Sequence, residues 1–184
     1  MINAAHSMAS PGAVFQGRTE SADCLRFGRA LKAQLRDYGI EAVLIDSGSP
    51  AERVERANAE NADIYIALHR GAGEKKGERG GISATLSEGA DSGEQYSAFY
   101  LLQALCRGFS LRYGGVHCKG EGNPHKSLEL ITAPLSLVLE LGFINSPEDN
   151  LCFDKGILPA AALAAAAVHE ILREGEDYEI NSAV

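Results

Sequence analysis

Leu135-Ser136-Leu137-Val138-Leu139-Glu140-Leu141-Gly142-Phe143 is the most apolar short run ahead of an alanine tract near the C-terminus. Its length and residue types predict a central strand in a sheet covered on both faces. Glu140 falls near its end. A carboxylate there is costly to desolvate unless it is paired, protonated or beside a metal. A strand-end glutamate that reaches solvent or an arginine satisfies the same pattern.

Upstream, short apolar runs alternate with helical patterns. Residues 1–5 read as a first strand with His6 at its end, followed by a Gly/Ser/Pro-containing loop over 7–19. Leu25, Leu31, Leu35 and Tyr38 give an apolar stripe to a helix over 21–38, which Gly39 stops. Residues 41–45 read as a second strand. In Ser49-Pro50-Ala51-Glu52 the serine caps a helix, the proline takes its first position and the glutamate closes a capping box. That helix reaches about Asn61. Over 62–69, Ile64, Ile66 and Leu68 alternate with Tyr65, Ala67 and His69, so a third strand places His69 on the face opposite Leu68.

Residues 70–81 form a glycine-rich, charged and exposed loop without the spacing of a phosphate-binding loop. A short strand over 82–86 and a helix over 94–109 follow. A second glycine-rich loop over 113–126 carries His117 and His125, and 127–131 is strand-like. Ser146-Pro147-Glu148-Asp149 repeats the cap-and-proline start for a short helix, and a last, alanine-rich helix spans 157–174. The acidic end, 175–184, reads as a frayed tail. The alternation predicts an α/β fold: a single-domain sandwich over 1–184, with a mostly parallel central sheet flanked by helices.

With 184 residues, 45% hydrophobic and 23% charged, the chain has enough apolar content for one sizeable core. A net charge of -8 excludes non-specific nucleic-acid binding through a basic footprint and gives no pull toward anionic membranes. Cys24, Cys106, Cys118 and Cys152 form no C-x-x-C pair and no disulfide framework. The N-terminus lacks the basic start of a signal peptide, and the alanine tract from Ala160 to Val168 is too short to insert into a bilayer.

In an open α/β sheet, ligands bind at the carboxyl ends of the strands, where His6, His69 and Glu140 fall. Glu20, at a loop-to-helix junction, is able to fold over the same edge. Two imidazoles and a carboxylate are a ligand set for catalytic zinc, with a fourth position for water. Glu140 is then the spare carboxylate, a general base that passes a proton to the leaving amine. Each residue has a plainer reading. His6 serves equally as a surface histidine, His69 as a packed one, and Glu20 as a first-turn carboxylate favoured by the helix dipole.

Several segments in order resemble one family, the zinc-dependent N-acetylmuramoyl-L-alanine amidases called amidase 3. They are Ile2-Asn3-Ala4-Ala5-His6-Ser7, the glycine loop from Pro11 to Glu20, Arg53-Val54-Glu55-Arg56-Ala57-Asn58, Ala62-Asp63-Ile64-Tyr65-Ile66-Ala67-Leu68-His69, and Val138 to Asp149. The resemblance spans nearly the whole chain. It implies His6, Glu20 and His69 as zinc ligands and Glu140 as the catalytic glutamate. It implies peptidoglycan as substrate and the amide between the lactyl group of N-acetylmuramic acid and L-alanine as the bond cut. Zinc-activated water is the implied nucleophile. Departures lie around the ligands: Ala5 and Ser7 flank His6 in place of glycines, and Arg70-Gly71 follows His69 in place of Ala-Asn. Arg70 is read as meeting a stem-peptide carboxylate, and Asn123 and His125 as lining the groove.

The absence of a signal peptide and of wall-binding repeats is consistent with a phage or prophage endolysin held in the cytoplasm until release, or with a domain cut from a secreted autolysin. Two rival functions use the same residues. A zinc carboxypeptidase-like peptidase needs a closed pocket and an arginine for the terminal carboxylate. An inactive wall-binding homologue has no need of His6, Glu20, His69 and Glu140 together.

Overall fold

The computed structural model describes residues 1–74, 80–120 and 125–182, with side chains of the last helix described to Glu174. Leu135–Phe143 is a strand interior to a six-stranded sheet, here β8. In chain order the other sheet strands are β1 (Ile2–Ala4), β4 (Leu44–Ile45), β5 (Ile64–Gly71), β6 (Ile82–Ser87) and β7 (Tyr113–Lys119). The spatial order is β4-β1-β5-β8-β6-β7. β4, β1, β5 and β8 pair in parallel. β6 runs antiparallel to β8 and parallel to β7. The sheet is therefore mostly parallel, as the alternation of elements predicts.

The two faces of the sheet are unequal. Leu135, Leu137, Leu139 and Leu141 point into a large core with Phe27, Leu31, Leu102, Leu105, Phe109 and Phe153. That side is covered by α1 (Glu20–Asp37), α3 (Ser92–Phe109) and α4 (Pro147–Ser182). Val138, Tyr65 and Ala67 point the other way, into a small core with Ala57 and Leu128. It is covered by α2 (Pro50–Ala59) and a single 3-10 turn, Lys126–Leu130. Period-two alternation sends Glu140 to this thin face with Val138, and His69 with Ala67. In the β5–β8 register Ala67 faces Val138 and His69 faces Glu140.

The helix caps follow the sequence chemistry. The Ser49 hydroxyl accepts from the Glu52 N–H, while the Glu52 carboxylate accepts from the Ser49 N–H, the reciprocal box expected at α2. At α4 the Ser146 hydroxyl accepts from the Asp149 N–H.

Other expectations are corrected. Residues 113–119 are not a loop but the edge strand β7. Gly114 and Gly115 hide it in the sequence: Gly115 has φ +113, next to a register shift in the β6–β7 pairing. Residues 127–131 are not a strand. The 3-10 turn there buries Leu128 and leaves Leu130 exposed, so the Leu128/Leu130 alternation does not mark a buried strand face. The 7–19 loop contains a small hairpin, β2 (Val14–Phe15) with β3 (Arg18–Thr19).

The short helix and the last helix are one helix, α4, running through Pro159. An interior proline removes a hydrogen bond. Burial of Phe153, Ala160, Ala161, Ala164 and Ala165 on both sides of it offsets that loss. Over Pro147–Glu174 this helix is, by length and composition, long and apolar enough to cross a membrane. Its alanines are buried in the large core, which accounts for that apolarity. The tail expected to fray from 175 instead continues α4 as far as Ser182; its side chains, and residues 183–184, lie outside the described residues.

α3 and α4 cross at two glycines. A Cβ on Gly108 would lie 2.2 Å from the Ala160 Cα, and one on Gly156 would lie 2.6 Å from the Phe109 Cα. Replacing a helical glycine with alanine ordinarily favours the helix by about 1 kcal/mol. Here the backbones are already in contact, so Gly108→Ala is expected to destabilise the fold by about 1–3 kcal/mol, read as a lower denaturant midpoint in urea unfolding.

Candidate metal centre

His6 leaves the end of β1 in a left-handed conformation, φ 66, uncommon for a residue other than glycine. Arg53 enforces it. Its guanidinium donates to Asn3 Oδ1 at 2.5 Å, to the Ala4 carbonyl at 2.6 Å, to the Gly48 carbonyl at 3.0 Å and to the His6 carbonyl itself. One buried cation from α2 thus closes the loop that presents His6. The sequence held this residue in the R-x-x-x-A-N segment, but no role for it was legible there.

Glu20 opens α1 after the Thr19 cap and is buried. Its Oε2 accepts from the Ala13 N–H at 3.0 Å and lies 3.1 Å from His6 Nε2. Its Oε1 lies 2.8 Å from His69 Nδ1 and accepts from the Arg70 N–H at 3.2 Å. Burial pushes this carboxyl up. The His69 hydrogen bond, the Ala13 N–H and the charges of His69 and His6 outweigh it and hold the group below the usual carboxylate range. Gly12 makes the closeness possible: at φ +73, a Cβ there would lie 2.5 Å from both Glu20 Oε2 and His6 Cδ2.

The sheet edge therefore gathers His6, Glu20 and His69, whose donor atoms lie within 4.8 Å of one another. The His6 and His69 rings meet edge to face at 5.5 Å. Two imidazole nitrogens and a carboxylate oxygen match the donor preference of zinc, and three protein donors leave a position for a reacting group.

Glu140 stands beside them, one strand over from His69. Its Oε2 is buried with no hydrogen-bond partner among the described residues. Gly71 leaves it room, because a Cβ there would lie 3.1 Å from that oxygen and 2.8 Å from the Phe143 ring. Its Oε1 lies 3.3 Å from His125 Nε2. The His125 ring packs on the His69 ring at 4.7 Å. A cleft of about 540 Å³ runs over this face past His6, Ser49, Arg53, Tyr65, His69 and His125. A second, of about 900 Å³, continues from His6 past Met8, Leu25, Arg26 and Arg29.

Arg70 does not meet substrate, contrary to the sequence reading. Its side chain has no exposed surface. It donates to Asp23 Oδ2 at 2.6 Å, to the Gly142 carbonyl at 3.3 Å, to the Phe143 carbonyl at 3.2 Å and to Asn150 Oδ1 at 2.7 Å. Its guanidinium also lies 4.4 Å over the Phe153 ring. Strand alternation turns it from the thin face occupied by His69 into the gap between α1 and α4. Asn123 lies outside the described residues. His125 does reach the site.

A family profile described as N-acetylmuramoyl-L-alanine amidase, Amidase_3, matches residues 1–167. No curated protein sequence matches the chain. Among solved structures, the catalytic domain of CwlV, an N-acetylmuramoyl-L-alanine amidase from Bacillus (Paenibacillus) polymyxa var. colistinus, is similar with TM-score 0.80 and 20% identity, over 94% of this chain and 96% of that one. The N-acetylmuramoyl-L-alanine amidase AmiC2 of Nostoc punctiforme is similar with TM-score 0.79 and 20% identity, over 94% and 95% of the two chains. At these identities the structures establish a shared fold.

The Arg70 contacts carry a stability prediction. Arg70→Met takes the guanidinium from the Gly142 carbonyl, Asn150 Oδ1 and one side of the buried Asp23, so it is expected to cost about 3–5 kcal/mol. Equilibrium unfolding of the variant beside the parent protein measures it.

Proposed function

The chain belongs to the Amidase_3 family of N-acetylmuramoyl-L-alanine amidases, and from that premise we propose that it cuts the amide between N-acetylmuramic acid and L-alanine in peptidoglycan with zinc held by His6, Glu20 and His69. The observation that carries this reading is the meeting of those three donors, within 4.8 Å, beside a second, spare acid, Glu140. Bound there, zinc supplies Lewis-acid activation of the amide carbonyl and of water.

The chain's own residues do the rest. Glu140 is the base that takes the proton from water as its oxygen bonds to the carbonyl carbon. The same carboxyl returns that proton to the nitrogen as the carbon–nitrogen bond breaks, so the stem peptide leaves with a free L-alanine amine and the lactyl group ends as a carboxylate. Glu140 Oε2 has no hydrogen-bond partner among the described residues, so no protein group there competes for it. The clefts on either side of His6 give a polymer room to lie across the donors.

The carboxypeptidase-like alternative needs an arginine facing a terminal carboxylate. Arg53 and Arg70, beside the centre, are committed to backbone carbonyls, Asn3, Asp23 and Asn150, so neither of these two serves that role. The place of action in this reading is the bacterial cell wall, where the substrate lies.

Purified peptidoglycan digested with the protein is expected to gain L-alanine amino termini without new reducing sugars. New reducing ends, or termini of other residues only, would refute the assignment of the bond. Glu140→Gln is expected to lower kcat by about 100- to 10,000-fold while retaining roughly one zinc per chain, the stoichiometry of a single three-donor site. Elemental analysis and kinetics on the same preparation check both.

A further inference from the structure

We propose that His125 is a positioning residue for Glu140: it fixes the carboxylate in the rotamer from which Oε1 exchanges its proton with the reacting atoms. This rests on the reading of Glu140 as the proton carrier. A catalytic carboxylate must be held within a few tenths of an ångström of its working place, and it is held by whatever it touches. On one side of Glu140 there is little to hold it. Its Oε2 has no hydrogen-bond partner among the described residues, and its neighbours there are Gly71, which lacks a side chain, and the apolar ring of Phe143. On the other side, Oε1 lies 3.3 Å from His125 Nε2.

His125 is itself well fixed. Its ring rests against the His69 ring at 4.7 Å, tilted by 54°. Its carbonyl accepts from the Leu128 N–H at 2.9 Å, closing the first turn of the 3-10 helix. Leu128 is 2% exposed and packs in the small core with Val138, two residues before Glu140 on β8. The same core thus anchors both ends of the contact, and the imidazole joins a ligand of the metal centre to the base. In the sequence His125 looks like a loop residue. The 3-10 turn, whose residues read as a strand in the sequence, delivers it.

Two variants test the proposal, with kcat, KM and zinc content measured on each. His125→Ala is expected to lower kcat by about 100-fold, with KM and zinc stoichiometry unchanged. His125→Gln, which keeps an N–H donor able to reach a carboxylate, is expected to recover most of that loss. An unchanged kcat in His125→Ala overturns the proposal. So does a loss confined to KM, which would make His125 a substrate contact, or a loss of zinc, which would make it a ligand. Failure of the glutamine to restore the rate also overturns it. A parent protein that releases no L-alanine termini would instead bring down the amidase reading itself, and the parent assay separates that result from the others.

Discussion

The buried pairing of Arg70 with Asp23 is the joint on which the arrangement depends. One guanidinium reaches Asp23 on α1, the Gly142 and Phe143 carbonyls at the end of β8, and Asn150 on α4. Arg70 follows His69 on β5, and its own N–H donates to Glu20. The elements bearing His69, Glu20 and Glu140 therefore share a single cation. Arg18 adds a second contact to Asp23 at 2.6 Å and runs on to Asp154. Burying such charges is expensive, and replacing a whole buried pair, both partners together, with hydrophobic residues often costs no stability. Arginine supplies direction instead: its planar fork fixes several acceptors relative to one another. Sub-ångström placement of two carboxylates and an imidazole is the kind of demand that geometry meets.

The unequal covering of the sheet explains why the chemistry sits where it does. Three helices seal one face, and the alternate leucines of β8 are spent there. The other face has one short helix and a 3-10 turn over six buried residues. Polar side chains at the strand ends on that side lie next to clefts rather than under helices. His69 and Glu140 reach it because they keep phase with Ala67 and Val138, and Arg70 misses it because it is one residue out of phase. A one-residue slip of β8 against β5 would turn Glu140 into the large core. The strong burial of Leu137, Leu139 and Leu141, each at most 1% exposed, opposes that slip.

What was legible in the sequence follows from which signals are local. β8 is bounded as read because its apolar run is continuous, and the α2 cap is as read because Ser49 and Glu52 satisfy each other within one turn. His6, His69 and Glu140 stand out at strand ends, Glu20 at a loop-to-helix junction, and all four through a family resemblance, and the fold brings them together. The misses are positions decided by distant partners. Nothing near Arg70 in sequence announces Asp23 or Asn150, so a charged residue before a glycine loop reads as exposed. β7 is an edge strand with much of its surface in solvent, so it never shows apolar alternation. α4 continues through Pro159 because α3 packs against it at Gly108 and Gly156, a tertiary contact that local propensity does not encode.

The donor set is held from outside itself. His6 is fixed by Arg53 on its carbonyl, His69 by the pairing of β5 between β1 and β8, and Glu20 by the Ala13 and Arg70 N–H groups. None of these restraints uses a donor nitrogen of His6 or His69. The two Glu20 oxygens divide between the two imidazoles, one to each, so a single carboxylate sets the spacing of the set. Because the entropy of gathering these side chains is spent during folding, a cation entering the site meets donors already in place. Gly12 and Gly71 belong to the same logic. Each occupies a point where a methyl group would crowd a carboxylate oxygen, Glu20 Oε2 at Gly12 and Glu140 Oε2 at Gly71, so the two acids occupy space that the chain keeps clear by leaving out a side chain.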